Sequence, residues 1–216
     1  MDQTGTKNNA AFSVFGENGE IHPIPAGLDH FAFFGLPRKM TLDGAALETR
    51  YYDLSRRLHP DFFMNASASK RILSLEASAR LNGAYKTLKD PIIRAVYLVE
   101  LESGKLEEND SRPPVDLLEE IFEAQEAADE YKCCEDDAEE AKNIRLRLEA
   151  AKECFGAQRA GQRAALEDLG ERWDRAVDAG DEPPAEVIDK LRSVLGLRNY
   201  IDNILRSVNQ ALEEVP

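Results

Sequence analysis

The stretch Arg56-Arg57-Leu58-His59-Pro60-Asp61-Phe62-Phe63 decides how this chain is read. Proline fixes its own φ near −65° and drives the preceding residue out of the helical region, so a helix arriving at Leu58 must stop there. His59 and Asp61 are then held at the tip of a polar corner. Upstream, Leu47, Tyr51, Leu54 and Leu58 recur at spacings of four, three and four, one stripe of a helix running from Asp43 to Leu58. Thr41 or Asp43 can cap its start. Downstream, Ile72, Leu75, Ala79, Leu81 and Leu88 mark a second helix from about Ala66 to Lys89, ended by Asp90-Pro91. Two antiparallel helices joined by such a corner form a helical hairpin. The short apolar segment Phe31 to Pro37 can close its open side.

Arg50 and Arg57 share another face of the first helix, with Arg56 beside them. A rigid polar corner flanked by basic residues is a surface for gripping a partner rather than a place for chemistry. Without its flanks, His59 reads equally well as a cap on a polar helix end, since such ends are common. The arginines alone read as a solvated face, because exposed ion pairs are worth only about 0–1 kcal/mol. Besides His59 there are only His22 and His30, and none lies in a ligand-spaced cluster. A nucleophile pattern and a glycine-rich phosphate loop are absent from the sequence. No catalytic residue, metal ligand or cofactor site is therefore assigned.

With its flanks included, the region resembles a J domain. The resemblance rests on an aromatic segment ending Phe34-Gly35-Leu36-Pro37, a basic helix, His59-Pro60-Asp61, and a helix carrying Asn82-x-Ala84-Tyr85-x-Thr87-Leu88-Lys89. The continuation Asp90 to Leu101, above all Arg94-Ala95-x-Tyr97-Leu98, is similar to the HscB family, the J-proteins of iron–sulfur cluster assembly. Residues 28–216 are covered, more loosely from Leu117 onward. The resemblance implies an all-α, L-shaped protein with a J domain and a C-terminal three-helix bundle. It implies two partners: a DnaK-type ATPase chaperone (HscA in that pathway), engaged and stimulated by His59, Pro60 and Asp61 with Arg50, Arg56 and Arg57, and an IscU-type cluster scaffold. Arg50 and Arg57 are the first candidates among the arginines, with Lys70 and Arg71 secondary. Matching by motif, the scaffold would meet Leu118, Phe122, Glu123, Glu126, Glu130 and Tyr200. Ala124-Gln125 departs from the family pattern, which often has a larger apolar residue there. A general J protein delivering other clients is the alternative, but it would carry a Gly/Phe-rich linker or zinc fingers.

Charge divides unevenly along the chain. The first 105 residues hold 13 Lys or Arg against 12 Asp or Glu, and the remainder 14 against 29. Such asymmetry suits two different partners. The acidic half repels phosphate backbones, which argues against nucleic-acid binding. No apolar run approaches the ~20 residues that cross a bilayer. The first residues, Met1 to Lys7, show neither a signal core nor an Arg-rich transit pattern, so cytoplasmic residence is the simple expectation. Cys133, Cys134 and Cys154 form no C-x-x-C pair, and reduced thiols are expected. Some members of the resembled family place a cysteine-rich zinc segment ahead of the J domain. The matching stretch here, Phe12 to Pro25, has no cysteine, so anything folded there must manage without metal.

The expected organisation is a tail or arm over 1–27, a J domain with a following connector helix over 28–102, a loop over 103–114 and a helical bundle over 115–216. The bundle helices should run from Val115 to about Lys132, from Glu135 to about Ala179, and from after Pro183-Pro184 to near Leu212. The middle one is expected to break near Gly156, Gly161 or Gly170. Leu166, Leu169, Trp173 and Val177, and then Val187, Leu191, Ile201, Ile204 and Val208, supply the helical stripes.

Overall fold

The computed structural model describes residues 13–16, 18–106, 113–133 and 138–214. Seven α-helices follow one another: α1 (His30–Phe34), α2 (Gly44–Leu58), α3 (Ala68–Lys89), α4 (Pro91–Ser103), α5 (Val115–Cys133), α6 (Ala138–Ala179) and α7 (Ala185–Glu214), with a 3₁₀ turn (Pro60–Phe63) between α2 and α3. Among the described residues the only pairing outside helices is one antiparallel bridge, Phe15 to Ile21. The all-α expectation holds. The chain divides into two compact units, Met1–Leu98 with Val177–Asp181, and Val99–Ala176 with Glu182–Pro216.

In the first unit, short polar side chains start each helix by accepting its orphan amides. Asp29 accepts from the Ala32 N–H at 2.8 Å, and Asp90 from Ile92 and Ile93 at 2.8 and 2.9 Å. Asp43, rather than Thr41, caps α2 through Ala45 and Ala46. Gly35, at φ 62°, closes α1 in the left-handed conformation that glycine adopts without strain. The helical hairpin buries Leu47 and Leu58 of α2 with Ala77, Leu81, Ala84 and Leu88 of α3. This corrects the stripe expected on α3. Ile72 and Leu75 are 55% and 57% exposed, and Ser74 and Ala77 face inward instead. Alanines two turns apart let α2 lie close to α3, which a larger residue at those positions would prevent.

The stretch expected as a tail contains a folded segment. The Gly16 N–H donates to the Glu20 carbonyl and the His22 N–H to the Val14 carbonyl, both at 2.9 Å. Gly19, at φ 74°, turns the chain. Val14, Phe15 and Ile21 are buried. Residues 1–12 lie outside the described part of the chain, as do 107–112 of the expected loop.

In the second unit, ion pairs and hydrogen bonds fix the register of three helices. Gln158 of α6 donates to Glu120 of α5 at 3.1 Å, and Arg147 pairs with Glu130 at 2.9 Å, so α5 and α6 are antiparallel. Arg159 pairs with Asp202 at 3.0 Å and Arg172 with Glu186 at 3.6 Å, so α6 and α7 are antiparallel too. Their core gathers Ala124, Ala127, Ala128 and Tyr131 of α5, Ile144, Leu148 and Phe155 of α6, and Ile201, Ile204, Leu205 and Val208 of α7. Contrary to expectation, α6 runs 42 residues without a break at Gly156, Gly161 or Gly170. Each interior glycine costs a helix only about 1 kcal/mol, which burial of Phe155, Leu169 and Trp173 outweighs. Arg192 of α7 closes the end of α4, donating to Ser103 Oγ at 2.7 Å and to the carbonyls of Gly104 and Lys105 at 3.2 and 3.1 Å. Cys154 is a free, exposed thiol. Cys134 and the side chain of Cys133 lie outside the described residues.

Candidate functional site

At the corner, α2 ends at Leu58 and His59 takes φ −58°, ψ 130°, the extended conformation that Pro60 imposes on its predecessor. The helix end leaves the Leu58 carbonyl without an intrahelical donor. Two hydroxyls from α3 supply one: Ser74 Oγ donates to it at 2.7 Å and Ser78 Oγ at 3.0 Å. The corner is thereby bolted to the hairpin core, while its tip faces outward. The His59 and Asp61 side chains are 55% and 77% exposed. His59 Nδ1 sits 3.3 Å from the Asp61 amide nitrogen and 3.4 Å from Asp61 Oδ2. The Asp61 N–H donates to Nδ1, which closes the turn across Pro60.

Tyr52, Ser55, Arg56, His59 and Phe62 surround a shallow depression of about 310 Å³ beside the corner. Tyr52 and Phe62 are 57% and 71% exposed, an unusual outlay of aromatic surface. Of the three arginines expected to act together, only Arg56 lines this depression. Arg57 lays its guanidinium over the Phe15 ring, 3.8 Å from the centroid. Arg50 donates to the carbonyls of Phe34 and Gly35 at 2.7 and 3.2 Å, satisfying the end of α1. One of its amino groups is thus occupied within the molecule, because a guanidinium is the natural donor for a helix C-terminus. The secondary candidate Lys70 pairs with Glu20 at 3.0 Å, and Arg71 donates to the Ala66 carbonyl at 3.3 Å.

In the second unit, α5 has two faces. Ala124, Ala127, Ala128 and Tyr131 turn into the core, with Leu117 and Ile121 packed at its edge. The other face carries Phe122, 69% exposed, with Glu123, Glu126 and Glu130 exposed and Leu118 half-buried. Ala124, the departure from the resembled pattern, is buried, where a small residue admits the neighbouring helices. Glu130, though exposed, pairs with Arg147 of α6 at 2.9 Å. Tyr200 is 39% exposed on α7. The pairs Gln158–Glu120 and Arg159–Asp202 set it level with the first turns of α5, at the height of Leu118 rather than of Glu130. Among the described residues, no group of three His, Cys, Asp or Glu is placed to hold a metal, and no helix is long and apolar enough to cross a membrane.

No protein-family model matches the chain. Curated proteins do: a co-chaperone protein HscB homolog from each of two strains of Vibrio cholerae serotype O1 is 31% identical over 179 residues, covering 82% of this chain and 96% of the relative. The chain belongs to the HscB co-chaperone family. Solved HscB structures share its fold. Human HscB superposes with a TM-score of 0.63 at 22% identity, covering 94% of this chain and 90% of that one. HscB from Vibrio cholerae gives 0.60 at 26% identity, covering 86% and 99%.

Within this HscB-family chain, sequence reasoning passed over Ser74, Ser78 and Phe15. The serines sit inside an apolar helix face, a pattern that carries no sign of which carbonyl they answer. Phe15 was legible: Asn18-Gly19 between Phe15 and Ile21 is a hairpin-turn signal.

Proposed function

We propose that this chain is a J-domain co-chaperone of iron–sulfur cluster assembly. Its second unit holds an IscU-type scaffold, and its first unit engages an HscA/DnaK-type ATPase and stimulates ATP hydrolysis. The chain catalyses no bond change itself in this reading. The observation that carries the proposal is the corner: His59 and Asp61 are solvent-facing on a turn whose backbone is fixed from behind by Pro60 and by two buried or half-buried hydroxyls. An exposed, preorganised polar tip loses little entropy on binding. Arg56, Arg57 and Arg50 keep positive charge on α2, which steers the helix toward an acidic partner surface and speeds encounter at low ionic strength. On α5, an exposed Phe122 ringed by Glu123 and Glu126 offers an aromatic anchor with a charged rim, the usual layout of a binding hot spot. Stimulation requires that the co-chaperone favour the hydrolysing conformation of the ATPase over the others.

The test is the ATPase rate of an HscA-type chaperone with and without scaffold. His59→Gln should abolish stimulation and leave scaffold binding intact. Phe122→Ala with Glu123→Ala should weaken scaffold binding and leave scaffold-independent stimulation intact. If folded versions of both variants lose both activities, the division of labour is wrong.

A further inference from the structure

We infer that the amino-terminal hairpin, Val14 to His22, is part of the chaperone-binding surface, with Phe15 holding Arg57 edge-outward toward carboxylates of the ATPase; this rests on the co-chaperone reading above. The hairpin is built into the first unit rather than resting on it. Val14, Phe15 and Ile21 are 3%, 9% and 7% exposed. A Cβ at Gly16 would lie 2.7 Å from His22 Nε2, so a side chain there would displace the exposed His22 ring. It also spans both sides of the corner, reaching Arg57 on α2 and Lys70 on α3.

The two contacts act differently on charge. Glu20 pairs with Lys70 at 3.0 Å and offsets the positive charge at the start of α3. Phe15 offsets nothing. The guanidinium 3.8 Å above its ring keeps its full charge, and Arg57 remains exposed. A guanidinium donates in its own plane, so a ring under one face leaves the N–H edges open to a carboxylate. Stacking also removes rotamers that binding would otherwise have to freeze. The hairpin therefore concentrates available positive charge at Arg56 and Arg57, on the α2 side of the corner, and fixes the direction in which Arg57 presents it. Arg57 is the binding group and Phe15 its positioning residue.

The experiment titrates full-length chain against a purified DnaK-type ATPase at low salt. Phe15→Leu keeps apolar burial and removes the ring. It should raise the half-saturating concentration about three- to tenfold, with the maximal stimulated rate unchanged. Phe15→Tyr, which keeps the ring, should behave as the parent. In an Arg57→Ala background, Phe15→Leu should have no further effect. An unchanged half-saturation in Phe15→Leu overturns the inference. So does a loss in Phe15→Tyr equal to that in Phe15→Leu, or one that persists without Arg57. The parent reading is checked separately, since stimulation that survives His59→Gln removes the co-chaperone assignment whatever Phe15 does.

Discussion

Arg50 donates to the Phe34 carbonyl at 2.7 Å, joining α2 to the end of α1. A residue on the basic face is thus also a structural tie. Arg50→Ala should lower the stability of the first unit by about 1 kcal/mol, the net worth of such a bond at a half-exposed site. Thermal unfolding should show it as a reduced midpoint, with half-saturation of ATPase stimulation moving less than twofold. An unchanged midpoint with a tenfold weaker half-saturation would assign Arg50 to the partner instead.

The serines behind the corner make a sharper case. Ser74→Ala leaves Ser78 still donating to the Leu58 carbonyl, so a cost of about 1 kcal/mol is expected. The double variant Ser74→Ala, Ser78→Ala strands a buried acceptor and should cost more than the two single losses together. Urea unfolding of all four proteins completes the cycle. Simple additivity would mean that the two hydroxyls answer the carbonyl independently.

Gly156 and Gly161 lie within α6, and a Cβ at either position meets nothing within 4 Å. Alanine there removes unfolded-state freedom and collides with no neighbour. Gly156→Ala and Gly161→Ala should each stabilise the second unit by roughly 0.5–1 kcal/mol. A rise in the urea midpoint at constant slope is the expected readout. A fall would mean that α6 bends at these positions.

His30 sets an acid limit on the first unit. Its ring stacks on Tyr97 at 4.5 Å, and its buried Nδ1 has no hydrogen-bond partner among the described residues. Burial holds its pKa below the usual value, the Arg80 charge adds to this, and Asp29 opposes it. The unfolded chain then binds the proton more readily than the folded one. Stability contributed by neutral His30 is present above about pH 6.5 and falls as pH drops through that value toward the lower folded pKa. His30→Gln should flatten the unfolding midpoint between pH 7 and 5 relative to the parent. Parallel profiles would show that His30 does not carry the slope.

The legible and illegible parts of the molecule divide along physical lines. The corner could be read because Pro60 acts locally, through its own ring and the residue before it. The α2 stripe and the α7 stripe could be read because large apolar residues recur at helical spacing. On α3 the same logic failed: Ile72 and Leu75 face solvent while Ser74 and Ala77 face the core, since the inward face was chosen by how close α2 must lie. The expected breaks in α6 failed because glycine propensity is a small term beside the burial of Phe155 and Trp173. At the candidate site, the outward position of His59 and Asp61 was legible from Pro60, and the attachments of the neighbouring residues were not. Arg50, Arg57 and Glu130 each spend part of their hydrogen-bonding or stacking capacity inside the molecule, on partners distant in sequence.

The Leu58 carbonyl is held by hydroxyls sixteen and twenty residues further along the chain. The placement of His59, Pro60 and Asp61 consequently depends on residues remote from them in the chain. A synthetic peptide copying them, or the same tripeptide transplanted between unrelated helices, would reproduce the letters and lose the shape.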